Sequence, residues 1–403
     1  MSPRPFRTLR ARWLFPIDQP PLRDGVVEIH GDEIIAVRAY RPGEQTEDLG
    51  DVALLPGLVN AHTHLEFSKI AEPLGKPLMA FPDWIRLVIE HRRCEMERDI
   101  SWRSDAVSLG LSESQAAGIA LLGEIATYDV GGRSTYESTD SFTKQLVFAE
   151  LLGLAPDRVE PQWQAALAHL AACDSPGLSP HAPYTVHPDL LARVCRLSAE
   201  QGFPIAMHIA ESLEEIELLA SGSGRLVELL NSLRAFPRDV ISRGTRPLDY
   251  LRSLSQAARA LVIHGNYLSP EEITFVGERS ATMSIVYCPR THAYFNAGPY
   301  PLTEMLAANV NVCLGTDSRA SNPDLSLFEE LRFIAQRHSN VTLEGVLYLG
   351  TQAGAEALGR GDRFGSLSPG KSARLTQVQL SMVDAADPHE LLFAEGTRPT
   401  ALV

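Results

Sequence analysis

The chain has 403 residues, of which 44% are hydrophobic and 21% are charged, so its composition is that of a folded globular protein and excludes a fibrous or disordered chain. Asp and Glu total 50 against 36 Lys and Arg, and the resulting net charge of −14 repels nucleic acid phosphates and anionic membranes. We therefore expect a small-molecule substrate and neither a nucleic-acid nor a membrane partner.

The cysteines and the N-terminus indicate the compartment. Five cysteines are scattered singly, without the paired spacing of a disulfide framework or a thiolate zinc cluster. The basic N-terminal segment lacks an apolar core, and no run of about 18 apolar residues occurs anywhere in the chain. We expect a protein of the reducing cytoplasm, with no secretion signal and no membrane span.

Both ends of the chain have strand-and-turn character. The first 55 residues predict three short strands, at Phe6–Phe15, Gly25–His30 and Glu33–Val37. After about residue 360, the glycine- and proline-containing stretch Phe364–Lys371 returns to the same character. We therefore expect residues 1–55 and 360–403 to pair into one composite β domain.

Residues 56–359 predict an α/β domain, because apolar strands alternate with amphipathic helices such as Pro188–Gln201 and Leu325–His338. Besides a strand before His62, we predict strands at Gly118–Tyr128, Gln145–Leu154, Pro204–Ile209, Ala260–His264, Thr282–Cys288 and Val310–Leu314. Seven or eight parallel strands are typical of a closed (β/α)₈ barrel of the TIM type.

Polar residues at the strand ends suggest a metal site. His62 and His64 are two residues apart, so on a strand both imidazoles point the same way and can bind one ion. His208, His264 and Asp317 end three further strands, at intervals of 56 and 53 residues that allow one βα unit plus an insertion. Singly, each has a simpler structural interpretation, but together the five favour a metal site.

Histidine and carboxylate ligands point to a divalent cation. They are standard ligands of Zn²⁺, although Fe²⁺ or Mn²⁺ would accept the same set. Glu211 lies three residues beyond His208, within reach of the same pocket. Its carboxylate can pass a proton from an attacking water to a leaving group. Alternatively, it is a charge favoured by the N-terminus of the following helix.

Six motifs together give the chain a family resemblance. They are PGLVNAHTHLEFS, SPHAPYTVHPDLL, MHIAES, VIHGNYL, CPRTHAYF and LGTDSRASNPDLSLFEEL. With them, the chain resembles the amidohydrolase superfamily, in the branch of metal-dependent aminohydrolases, and is similar to aminodeoxyfutalosine and adenosine-type deaminases. The resemblance implies a (β/α)₈ barrel with a small β-sandwich formed by the N- and C-terminal segments.

The resemblance also implies roles for individual residues. By this resemblance, the metal ligands of the chain are His62, His64, His208 and Asp317. Glu211 is then the proton shuttle and His264 orients the attacking water, while Asp317 and His264 take the proton of the water or hold the new oxygen. Water adds to an amino-bearing ring carbon and ammonia leaves. Because no Lys stands where a bridging carbamylated lysine would be needed, the resemblance implies one metal ion per chain.

Five residues are candidates for substrate contact. His181 resembles a family histidine that reaches the substrate, or it stabilises the turn between Pro180 and Pro183. Trp84, beside Phe81, forms an apolar wall for an aromatic base or belongs to a helix core.

The remaining candidates, Arg290, His292 and Arg319, stand where the chain departs from the adenosine-type pattern. Either arginine would suit a carboxylate or hydroxyl-rich substrate tail, because a guanidinium binds such groups in a bidentate fork. Alternatively, each forms an ion pair, for which the sequence offers Glu66, Asp324 and Glu329.

Several functions share this ligand set. Dechlorination of a triazine or hydrolysis of a cyclic amide would use the same activated water, so the ligands do not choose among them. An inactive metal-binding scaffold would not need Glu211, and a nucleic-acid deaminase is opposed by the net charge. The oligomeric state, including a homo-oligomer, is left open.

Overall fold

The computed structural model describes residues 6–98, 101–127, 141–237, 239–295 and 298–402. In chain order, its strands are β1 Phe6–Leu14, β2 Leu22–His30, β3 Glu33–Ala39, β4 Glu47–Asp48, β5 Val52–Pro56, β6 Leu58–Thr63, β7 Ile119–Ala126, β8 Lys144–Leu151, β9 Pro176–Pro180, β10 Ile205–Ile209, β11 Ala260–His264, β12 Met283–Tyr287, β13 Asn311–Leu314, β14 Leu375–Gln379 and β15 Pro399–Leu402. They form two separate sheets.

The larger sheet is a barrel of eight parallel strands, in which each strand from β6 to β13 pairs with its sequence neighbours. The strands at the two ends of this series meet where the Asp317 N–H donates to the carbonyl of His62, at 3.1 Å. Asn60 reinforces the closure, because its amide bonds both the side chain and the backbone N–H of Thr316, at 2.8 and 3.1 Å. The predicted (β/α)₈ barrel is confirmed.

The barrel strands are buried on both faces, as parallel strands covered by helices must be. Every residue of β7, β10, β11 and β12 is buried. The helices that alternate with and follow these strands are α1 Phe81–Arg98, α2 Trp102–Ala116, α3 Pro156–Ala172, α4 Pro188–Gln201, α5 Leu213–Ser221, α6 Arg225–Ser232, α7 Pro247–Leu254, α8 Pro270–Gly277, α9 Pro289–Phe295, α10 Leu302–Ala307, α11 Leu327–Arg337, α12 Leu343–Leu349, α13 Gln352–Ala357 and α14 Pro388–Phe393.

The helix starts follow from local sequence. Ser269 and Glu272 form a reciprocal capping box at α8, and Ser212 caps α5 by accepting from the Glu215 N–H. Proline in the first turn of α3, α4, α7 and α8 costs no hydrogen bond, since those N–H groups have no partner inside the helix. None of the helices that the structure describes is long and apolar enough to cross a membrane.

The smaller sheet combines both ends of the chain, in the order β15-β14-β5-β1-β2-β3, with β4 beside β1. The C-terminal segment joins through β14, which pairs antiparallel with β5 and places Leu375 opposite Pro56. The expected association of the two ends is confirmed as one mixed sheet.

Each strand predicted for the barrel is present within a few residues. Residue 128, the predicted end of the Gly118–Tyr128 strand, lies outside the described residues. Among the eight strands of the barrel, the one that the sequence did not predict is β9, which begins and ends with proline.

Candidate metal and active site

The candidate metal ligands meet at the carboxyl ends of the barrel strands. His62 lies on β6 with His64 directly after it, His208 on β10, and Asp317 three residues after β13. His264 ends β11 with a backbone φ of 68°, and Asp317 has φ 56°. Residues other than glycine rarely adopt this left-handed conformation, and such strain is concentrated at functional sites.

Distances within the cluster are those of converging ligands. Asp317 Oδ1 lies 3.6 Å from His62 Nε2 and 3.8 Å from His64 Nε2. The ring centroids of His62 and His208 are 5.0 Å apart. Donor atoms of His62, His64 and Asp317 all lie within 4.8 Å of one another, as do those of His62, His208 and His264. The expected cluster of five residues is therefore assembled.

The hydrogen bonding around these residues fits a cation. Among the described residues, neither ring nitrogen of the buried His62 has a hydrogen-bond partner, nor does His64 Nδ1. Buried polar atoms without a hydrogen-bond partner destabilise the fold unless a ligand such as a metal ion binds them. His208 donates from Nδ1 to the carbonyl of His181, at 3.0 Å, which leaves its Nε2 as the free ligand atom. The cluster can thus hold a divalent metal ion.

Protonation states suit this role. Burial lowers the pKa of His64 and of His264 to about 3, so both imidazoles are neutral near pH 7. Burial alone would raise the pKa of Asp317, but the adjacent His62 and His264 hold it below its usual value. Neutral imidazoles and an ionised carboxylate are the forms that bind metal ions.

Glu211 lies in the loop after β10, with Oε1 3.4 Å from His264 Nε2. Burial, followed by the charges of Asp317 and Glu215, raises the pKa of Glu211 well above its usual value. Three hydrogen bonds fix the loop backbone. Glu215 accepts from the N–H groups of Ala210 and Glu211, at 2.9 and 3.0 Å, and the Asn266 amide donates to the Glu211 carbonyl, at 2.9 Å.

A cavity of about 560 Å³ opens onto this cluster. Its polar floor consists of His64, His208, Glu211, His264 and Asp317, and His181 and Glu150 lie beside it. Its outer wall is apolar, since α1 and α6 contribute Phe81, Trp84, Ile85, Val88, Ile89, Leu226, Leu229 and Leu230. This volume lies within the range of small-molecule sites, roughly 300–1,000 Å³.

Two of the five substrate-contact candidates line the cavity. His181 lies next to the metal cluster, and its ring centroid is 5.0 Å from that of His208. Trp84 stacks on Phe81 with centroids 5.8 Å apart, and its indole N–H donates to the Ala320 carbonyl, at 3.1 Å. Both positions are compatible with the expected contacts to an aromatic base.

The two arginine candidates do not line the cavity, and ion pairs account for them. Arg290 binds Asp324 and Glu330, each at 2.6 Å. Arg319 binds Glu113, at 2.9 Å. Both guanidinium groups therefore form ion pairs, which was the alternative interpretation. Of the three acids suggested as partners in the sequence analysis, only Asp324 is one. Because carboxylates bind both guanidinium groups, the structure favours the ion-pair alternative, and contact with a substrate tail stays a prediction.

His292 also lies away from the cavity. It is buried, with its ring 5.4 Å from that of Tyr300 and 6.0 Å from that of Tyr287. Tyr300 in turn donates its hydroxyl to the His264 carbonyl, at 2.8 Å. Its contacts with two tyrosine rings do not favour the expected substrate contact, which stays a prediction.

Sequence reasoning missed Glu150, Glu215 and Tyr300. In the structure Glu150 is the penultimate residue of its strand, as His208 is, but the predicted strand Gln145–Leu154 ended three residues too late to show this. Glu215 was visible only as one of several acidic residues in a helix, and Tyr300 contacts His264 from 36 residues away. For these two, the contacts that give them a role exist only in the folded chain.

The barrel, the strand-end donor set and the buried Glu211 together define the class: a metal-dependent hydrolase. Comparison with known proteins agrees. The sequence pattern of the Amidohydrolase family matches residues 53–398, so the chain belongs to the amidohydrolase family.

Relatives in this family carry deaminase names. The 5-methylthioadenosine/S-adenosylhomocysteine deaminase of Moorella thermoacetica is 29% identical, over 93% of this chain and 85% of its own length. The aminodeoxyfutalosine deaminase of Deinococcus radiodurans is also 29% identical, over 82% and 78%. A zinc-bound adenosine deaminase structure from Xanthomonas campestris is 26% identical, with a TM-score of 0.75 over 98% of this chain and 90% of that one.

Proposed function

We propose that the protein is a zinc-dependent aminohydrolase that deaminates an amino-substituted purine nucleoside or a related heterocycle. The observation that carries this proposal is the position of Glu211, a buried carboxyl group 3.4 Å from His264 Nε2 at the floor of a cavity of about 560 Å³. The deaminase names of the relatives support the same reaction.

The proposed metal centre uses His62, His64, His208 and Asp317. Zinc is supported by the three imidazoles and one carboxylate, and by the zinc-bound relative from Xanthomonas campestris. When bound, such an ion acts as a Lewis acid and makes a water molecule nucleophilic at neutral pH. No disulfide joins the five cysteines, all of which the structure describes, and this supports a reducing compartment, the cytoplasm, for this chemistry.

The chain's own residues would handle the protons. Burial raises the pKa of Glu211, which favours its protonated form, and that form can donate a proton from the carboxyl oxygen to a ring nitrogen of the substrate. The neutral His264, fixed through its carbonyl by Tyr300, can orient the attacking water. Trp84 and Phe81 would cover an aromatic base and exclude bulk water.

Ammonia release tests the proposal. The zinc-loaded protein would be assayed with adenosine, 5′-methylthioadenosine, aminodeoxyfutalosine, guanine and a chlorotriazine. Ammonia from one or more purine compounds, abolished by Glu211→Gln and retained by the matched control Glu217→Gln on the exposed face of α5, is the expected result. Silence on every purine at full metal occupancy would overturn the proposal, and chloride release would identify a chlorohydrolase instead.

A further inference from the structure

Glu150 is a buried carboxylate that faces the cavity and has one oxygen to spare. It is the penultimate residue of β8, and 3% of its side chain is exposed. Its Oε2 accepts a hydrogen bond from the Thr127 hydroxyl, at 2.8 Å. Within the part of the chain that the structure describes, Oε1 receives no hydrogen bond, and the nearest ionisable nitrogen, His181 Nε2, lies 3.8 Å away.

The surroundings keep this carboxylate ionised and fixed in place. Burial alone would raise the pKa of Glu150, but His181 and Arg92 hold it below its usual value. The Thr127 hydroxyl, with its single proton, lies between Glu150 and a second buried carboxylate, Glu66, which pairs with Arg92 and Arg103. An ionised carboxylate only accepts hydrogen bonds. The free oxygen therefore calls for a donor from the cavity.

His181 completes a two-sided polar site. When its Nδ1 accepts from the Thr185 hydroxyl, 2.8 Å away, Nε2 carries the proton and is a donor. The gap of 3.8 Å to Glu150 Oε1 is too long for a direct hydrogen bond, but it suits a group that bonds to both atoms. A hydroxyl is such a group, because it donates and accepts at once.

We propose that Glu150 binds a sugar hydroxyl of the substrate, with Oε1 accepting from the hydroxyl and His181 Nε2 donating to it. This inference rests on the proposed nucleoside substrate and deepens it. The site lies next to the candidate metal ligands, because the backbone carbonyl of His181 accepts a hydrogen bond from His208 Nδ1. A carboxylate here selects hydroxyl groups that can donate to it, so the enzyme prefers ribonucleosides to nucleosides that lack the sugar hydroxyls.

Paired substrates test this assignment. In the zinc-loaded wild type, kcat/KM for adenosine should exceed that for 2′,3′-dideoxyadenosine by roughly 10- to 100-fold, the effect of a hydrogen bond to a charged group. Glu150→Gln should lower the adenosine value by a similar factor, mainly through KM, and leave the dideoxy value within about threefold. The matched control is Glu160→Gln, the same change at an exposed site on α3, which should keep the wild-type ratio.

Two results would overturn the assignment. One is equal loss on both substrates in Glu150→Gln, which would mean a structural role. The other is a wild type that does not discriminate between them, a test that needs no variant and is independent of folding.

A binding arm separates this inference from the proposed reaction. Calorimetric titration of the wild type with inosine and 2′,3′-dideoxyinosine requires no turnover. Tighter inosine binding that depends on Glu150 would uphold the hydroxyl site even if no purine released ammonia, in which case the deaminase proposal alone would fail. Equal affinities, or no binding of either compound, would overturn the hydroxyl site.

Discussion

Charged side chains occur in two different settings in the terminal sheet and in the barrel. In the terminal sheet, ion pairs such as Arg7–Glu47 and Arg10–Asp24 have partly exposed partners. In the barrel, Glu124, Glu215 and Glu330 are fully buried. Burying a carboxyl group costs free energy unless hydrogen bonds or counter-charges compensate, and burial raises the pKa of Glu124 and of Glu215. Buried glutamates are therefore expected where their hydrogen bonds fix a backbone segment.

Each of these three carboxylates fixes a segment next to the site. Glu124 accepts from the Leu65 N–H, directly after His64, with both oxygens at 3.1 Å. Glu215 holds the loop of Glu211, and Glu330 accepts from the backbone N–H of Arg290, at 2.9 Å. The barrel thus uses buried carboxyl groups to position loops, whereas the terminal sheet carries charge on its surface.

The largest effect should come from Glu211→Gln. Removal of a proton-transfer group lowers rates by about 10²- to 10⁴-fold, and we expect a fall in kcat within this range. Steady-state ammonia release measures it. Metal content and melting temperature should stay at wild-type values, because the amide keeps the shape of the side chain. Retention of more than about a tenth of the wild-type kcat would contradict the assigned role.

The next largest effect should come from Arg290→Met. This change leaves Glu330 buried without its guanidinium partner, and loss of one member of a buried pair costs about 3–5 kcal/mol. Urea denaturation should show this loss in the free energy of unfolding, with an unchanged KM. If instead KM rose while stability stayed constant, Arg290 would be a substrate contact after all.

The sequence predicted the metal cluster because its signal is local. His208 and His264 each lie at or next to the end of a five-residue strand that is buried throughout, and parallel strands bring such ends together. The ion pairs of Arg290 could not be predicted in the same way. Its partners lie 34 and 40 residues further on, and the choice of Glu330 over the adjacent Glu329 depends on which face of α11 is buried.

Strand β9 shows the same limit in the fold. Its sequence, Pro-Gly-Leu-Ser-Pro, contains the residues least typical of strands. The structure requires a small residue at Gly177, since a Cβ there would lie 2.4 Å from the ring of Phe148. Pairing with β8 and burial inside the barrel override the weak local preference.

A pH-dependent effect of intermediate size should arise at Glu215. Burial raises its pKa from 4.5 to about 7, so the folded protein keeps a proton that the unfolded chain releases. The stability of the wild type should therefore fall as pH rises between these two values, by at most about 3 kcal/mol.

Glu215→Gln lacks this titration. Guanidinium denaturation of both proteins from about pH 5 to pH 8 should show the wild type losing stability relative to the variant as pH rises. Parallel stability profiles would mean that Glu215 is ionised throughout this range.

The smallest effect should come from the terminal sheet. Arg7→Ala breaks an exposed pair with Glu47, and such pairs contribute about 0–1 kcal/mol. We expect a change in unfolding free energy within this range, reduced further in roughly 1 M salt, and no change in kcat. A loss as large as that of Arg290→Met would remove the contrast between the two regions.

Metal content and ammonia release, measured on the same preparations, test the central claim most directly. We predict one zinc per chain in the wild type and in Glu211→Gln, with activity only in the wild type, and loss of both metal and activity in Asp317→Ala. Activity in a metal-free wild type, or full metal content in Asp317→Ala, would contradict a metal centre built from the ends of the barrel strands.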